Sequence, residues 1–153
     1  MTSPERDVDD AFRAVLEGLR TTLPGVQVLF GFLLTLPLYA AFSDLRDIER
    51  AAYYIAFFGS ATASILLIAP SAHQRLRAPK SGVRRHSPAH LHFTVRMTIA
   101  GTLFLSVALG AVVYLASSLV FASVAALAAA AIVTALIAWA WFYVPLVHFD
   151  RHP

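Results

Sequence analysis

Four stretches of the chain are almost wholly apolar, and the charged residues gather between them. The first, residues 23–42 (LPGVQVLFGFLLTLPLYAAF), has no charged side chain. It is about 20 residues long, the length a helix needs to cross a hydrocarbon core of roughly 30 Å. The others cover residues 51–70, 97–116 and 119–147. Backbone polar groups have no water to bond in a bilayer, so spans of this kind are helical. The pattern predicts an all-α integral membrane protein, a four-helix bundle. The last stretch is longer than a bilayer requires, which predicts a tilt or a protruding end.

Residues 1–22 read differently. Val8, Phe12, Val15, Leu16 and Leu19 fall on one helical face, with polar residues elsewhere. Ser3 is placed to cap this helix, Pro4 suits its first turn, and Glu5, Asp7, Asp9 and Asp10 favour its N-terminal dipole. The expected organisation is an amphipathic helix on the cytoplasmic membrane surface over residues 1–22, followed by a four-span domain over residues 23–153. Ser43 is the expected N-cap of the second helix, Ser87-Pro88 the start of the third, and Ser117-Ser118 a tight turn into the fourth.

Polar and small residues recur at intervals of four within the spans. Gln27, Gly31 and Thr35 do so in the first, and Ala56, Ser60 and Ser64 in the second. Thr94, Thr98, Thr102, Ser106 and Gly110 form the longest such row, in the third. Small and hydroxyl side chains are what helix contacts in lipid prefer, so Thr98, Thr102 and Ser106 are expected in a central packing seam. Gln27 is the most polar side chain in a span. An unpaired amide in lipid is costly, which predicts that it clamps a neighbouring helix.

Composition sharpens the class. The chain is 58% hydrophobic and 14% charged, where a soluble domain carries about 25% charge. It has no cysteine, so disulfides, thiolate-bound zinc and iron–sulfur clusters are excluded. Ten of the twelve basic residues fall at the two termini or in the connection around residues 71–96, and Arg46 and Arg50 are the other two. The positive-inside rule then places both termini and the long connection in the cytoplasm. The same rule accounts for the net charge of +3 without nucleic acid as a partner. Trp139, Trp141 and Tyr143 read as an aromatic belt at the inner interface.

The four spans contain no Asp, Glu, Lys, Arg or His. Proton relays and ion-coupled pumps are usually built on such groups, and so are carboxylate pairs and catalytic triads. No enzyme is expected, and no cofactor or metal site. The six histidines, His73, His86, His90, His92, His148 and His152, all map outside the spans at no recognised metal-ligand spacing. Arg20, Arg75 and Arg96 lie where the helices meet the inner interface. They read as anchors to anionic headgroups, or as a set converging on a phosphate or lipid headgroup.

Several short motifs carry a resemblance: Leu19-Arg20, Gly25-Val26-Gln27-Val28-Leu29-Phe30 with Phe32-Leu33-Leu34-Thr35, Ala69-Pro70, Arg75-Leu76, Arg96-Met97 with Ala100-Gly101, and Pro145-Leu146. In these the chain resembles an uncharacterised family of small four-helix bacterial membrane proteins, mainly actinobacterial, known only as a domain of unknown function. It departs from the family pattern at Gly18, where Glu is usual, and at Gln74, where His is usual. The resemblance implies the topology and no activity.

The reading is a small multi-pass protein of the bacterial inner membrane with a structural, regulatory or accessory role. Its expected partners are anionic lipids, with a homo-oligomer or another membrane protein. The alternative is an oligomeric pathway for small molecules or ions. The orientation is directly testable, because any introduced cysteine is the only thiol in the chain. A cysteine at Ser118 is expected to label from outside intact cells and one at Ser81 is not. Equal labelling of Ser81 from outside would reverse the orientation.

Overall fold

The computed structural model describes residues 3–77 and 88–148, and every regular element among them is helical. Helix α1 runs from Ser3 to Thr35 without a break. Two 3-10 turns follow, Leu36–Leu38 and Ala40–Phe42. Helix α2 covers Asp47–Arg77, α3 covers Pro88–Ser118 and α4 covers Ser123–Ala138. A π-helical turn, Trp139–Tyr143, joins α4 to a short α5, Val144–His148. Four helices are long and apolar enough to cross a membrane: Arg13–Leu38, Asp47–His73, Leu91–Ser118 and Ser123–Tyr143. The all-helical, four-span architecture read from the sequence is the one observed.

Three boundaries differ from expectation. No break separates residues 3–22 from the first span. Pro24 lies inside α1. It lacks only the N–H that would bond the Arg20 carbonyl, and a transmembrane helix tolerates that loss. Three residues of the amphipathic stripe are used within the fold: Leu19 is buried with Ala63, Leu67 and Leu105, and Val15 and Leu16 pack against that cluster, while the Val8 and Phe12 side chains lie outside the described residues. Ser43 does not cap α2. Its hydroxyl donates to the Ala40 carbonyl at 2.7 Å, and the helix begins four residues later at Asp47. The final turn of α3 includes both Ser117 and Ser118, and the bend falls on the four residues Leu119–Ala122. The Val120 and Phe121 N–H groups fold back onto the Ser117 carbonyl, at 3.1 and 2.8 Å, and so end the helix.

The core sits between α2 and α3, which run antiparallel in close contact. A methyl group at Gly101 would lie 2.8 Å from Leu67 of α2, and one at Gly59 would lie 3.2 Å from the Ala108 methyl of α3. On α3 the buried residues Thr94, Gly101, Leu105, Ala108 and Leu115 are separated by seven, four, three and seven residues, the 3.5-residue repeat of a left-handed helix pair. Helix α1 packs mainly on α2 and also reaches α3, because Leu19 and Val26 share a buried cluster with Leu105, and Leu33 shares one with Leu115. There Tyr53 donates its hydroxyl to the Leu33 carbonyl at 3.0 Å, across from the buried Ala56.

Helix α4 packs along α3. Ala126 is buried with Tyr114 of α3 and Ala52 of α2, and the face bearing Val124, Leu127, Ile132 and Leu136 is exposed. Pro145 accounts for the π-helical turn. It has no N–H to donate and its ring crowds the carbonyl four residues back. The Val144 N–H bonds the Trp139 carbonyl instead, five residues back.

The seam makes α3 sensitive to one added methyl. Gly101→Ala must displace Leu67, which is 1% exposed. It is expected to destabilise the protein by about 1–3 kcal/mol. Gly25→Ala meets open space on α1 and should be neutral or gain up to about 1 kcal/mol of helix propensity. Thermal unfolding in detergent measures both, and equal effects would contradict the close approach at Gly101.

Candidate functional site

The first turns of α3 present two parallel ridges. His92 and Arg96 stand four residues apart on one, and Phe93 and Met97 on the next. Together these four side chains line an open groove of about 400 Å³ at the end of the molecule that carries the long connection. His73 of α2 backs it, its ring meeting the Phe93 ring edge-on with centroids 5.1 Å apart. The His73 Nδ1 is 3.0 Å from the Ala69 carbonyl. A carbonyl accepts only, so Nδ1 carries the proton and Nε2 is left facing outward.

The groove combines two kinds of lining. A guanidinium offers a planar fork of donors that matches phosphate or carboxylate oxygens, and an imidazole adds another donor. Phe93 and Met97 offer apolar surface directly alongside. An amphiphile with an anionic head and an apolar tail matches both. Among the described residues no three of His, Cys, Asp and Glu gather in a way that would hold a metal ion.

The structure brings together only part of the arginine set. Arg96 lines the groove, whereas Arg20 stands exposed on α1 away from it. Arg75 is on the last turn of α2, and its side chain lies outside the described residues, as do the basic residues from Lys80 to Arg85. His92 was legible as a partner for Arg96, four residues ahead on the same helix. The signal was hidden by comparing histidines only with one another.

The polar row on α3 does not follow one seam. A step of four residues winds about 40° round a helix of 3.6 residues per turn. The row therefore starts at Thr94, buried against α2, and ends at Gly110, where a methyl would lie 2.6 Å from the Thr134 hydroxyl of α4. Thr98, Thr102 and Ser106 each donate to the carbonyl four residues back, at 2.8 to 3.0 Å. Only the Thr94 hydroxyl is buried without a partner among the described residues. Gln27 does not clamp a neighbour. It is exposed on α1 and has no hydrogen bond to another described residue.

The opposite end holds a polar cluster that the sequence reading missed. Glu49, 5% exposed, accepts from the Arg46 backbone N–H and from the Arg46 Nε, both at 2.9 Å. The first bond is half of a capping box, with Glu at the third position of α2 reaching back to the residue that precedes the helix. Arg46 Nη2 bonds the same carboxylate, and Nη1 reaches the Ser123 hydroxyl at the start of α4, at 3.0 Å. Ser118, at the end of α3, is a further neighbour of Glu49. The cluster therefore fastens three helix ends at one corner.

Removing Arg46 leaves a nearly buried carboxylate without its main donors. Arg46→Ala is expected to lower the melting temperature, by less than the loss of a fully buried pair because the arginine is half exposed. Arg50 reaches only the Ser43 and Leu45 carbonyls, both at 3.4 Å. Arg50→Ala should cost under about 1 kcal/mol. Thermal unfolding compares the two, and an equal loss would show that the cluster fastens nothing.

No curated protein and no solved structure matches the chain. Residues 2–145 match a single family along nearly the whole length, all four spans and the groove included. The chain belongs to DUF6328, a family of unknown function.

Proposed function

We propose that this protein is a non-enzymatic structural or regulatory component of the bacterial cytoplasmic membrane that engages anionic lipid headgroups at its cytoplasmic end. The observation that supports this most directly is the groove of His92, Phe93, Arg96 and Met97, cationic on one ridge and apolar on the next. The positive-inside count places that end, and both termini with it, on the cytoplasmic side. Anionic lipid is concentrated there, and each Lys or Arg near such a surface contributes about 1 kcal/mol.

An oligomeric transport pathway along the α3 row finds less support. Its hydroxyls are occupied by their own helix, and the adjoining seam is closed by Leu67 against Gly101.

The reading is tested with purified protein in nanodiscs of a zwitterionic phospholipid, titrated with an anionic one. Arg96→Ala is expected to weaken anionic lipid binding about fivefold. Adding His92→Ala, which removes a second donor from the groove, should weaken it further. Anionic lipid bound equally by wild type and the double variant would overturn the groove as a headgroup site.

A further inference from the structure

Helix α1 has two unlike faces. Leu19, Val26 and Leu33, seven residues apart, are buried against α2 and α3. Arg13, Glu17, Arg20, Pro24, Gln27 and Gly31 recur at alternating spacings of four and three, and all six are exposed. That alternation is the 3.5-residue repeat with which two helices pack along their length in a left-handed coil. At about 100° per residue the exposed row lies a quarter to half a turn from the buried one. A neighbour on it would leave the contact with α2 untouched.

Its chemistry selects the neighbour. Gln27 lies near the middle of the span Arg13–Leu38 and is exposed there. Facing lipid, its amide has neither a donor nor an acceptor to bond. The exposed faces of the other helices, such as Ile55, Phe58 and Ile65 on α2 or Val124, Leu127 and Ile132 on α4, are apolar and have nothing to pair with it.

We propose that two copies of this chain associate through the exposed row of α1, parallel and related by a two-fold axis along the membrane normal. Under that symmetry each residue meets its own counterpart. An amide is both donor and acceptor, so the Gln27 pair satisfies itself. Gly31, with open space around it, lets the two backbones approach one turn further on. Toward the N-terminus, each Glu17 packs between Arg13 and Arg20 of the second copy, so that opposite charges in neighbouring layers offset the like charges that the two-fold sets level with one another. None of these three is bridged to another described residue within the chain.

The absence of native cysteine makes the test direct. Gly31→Cys and Gly25→Cys each place one thiol in open space on α1, the first on the row and the second off it. Oxidation of the full-length protein in liposomes is expected to link Gly31→Cys into a disulfide dimer and to leave Gly25→Cys monomeric. Adding Gln27→Leu to Gly31→Cys should lower the linked fraction about tenfold. Adding Gln27→Asn, which keeps the amide, should restore much of it. The mass of the wild-type chain in nanodiscs should be that of two copies. Equal linking at both positions, no effect of Gln27→Leu, or a wild-type chain that stays monomeric at every protein-to-lipid ratio would overturn the pairing. Linking of Gly31→Cys to a protein of another mass, when the same variants are oxidised in native membranes, would also overturn it.

Discussion

The close approach of α2 and α3 is the constraint on which the rest of the arrangement depends. In lipid, apolar surface gains little by leaving its surroundings, so helices associate where their backbones come near enough for dense contact. Gly59 and Gly101 supply that nearness from opposite partners, one on each helix. The small residues Ala63 and Ala108 fill the space between them without forcing it open. The two outer helices are added to this pair. Helix α1 seats the row Leu19, Val26 and Leu33 against both α2 and α3, and α4 lies on α3 near Tyr114 and Thr134.

The two ends of the central pair are finished in opposite ways. At one, Arg46 and Glu49 satisfy each other and draw in Ser118 and Ser123, so charge is consumed inside the protein. At the other, Arg96 and His92 line a groove with Phe93 and Met97 and have no acidic partner among the described residues. Charge that is consumed internally favours one arrangement of the helix ends, while charge left open favours a bound anion. That contrast, more than the total of basic residues, is why the long-connection end is the functional candidate.

The spans were legible because twenty uncharged residues in a row admit almost one reading. Pro88 lies in the first turn of α3, as its residue type suggests, while the expected cap Ser87 lies outside the described residues. Helix ends governed by distant partners were not legible. Ser43 looked like a cap by residue type, but Glu49 reached back to Arg46 and moved the start of α2. Gln27 was recognised as needing a partner, and residue type alone could not say that α1 would turn it away from α2. The α3 row misled for a geometric reason: a repeat of four is not the repeat of a helix, so residues four apart drift from one neighbour to the next. Arg20 is exposed on α1 because it follows a buried leucine and is turned outward by it, and the Arg75 side chain lies outside the described residues.

Helix α1 crosses from a charged segment into an apolar one with no change of axis assigned to a loop or hinge, over 33 residues and about 50 Å. Such an element behaves as a rigid rod whose two halves share one angular phase. A torque on the charged half is carried along the continuous helix toward Leu19, Val26 and Leu33, with the backbone bond missing at Pro24 its softest point. One residue inserted between Glu17 and Pro24 would put the halves about 100° out of phase. The chain could then seat either the leucine row or the charged row, and not both at once. Length in that segment is therefore under tighter constraint than side-chain identity, the reverse of what holds for an ordinary polar extension.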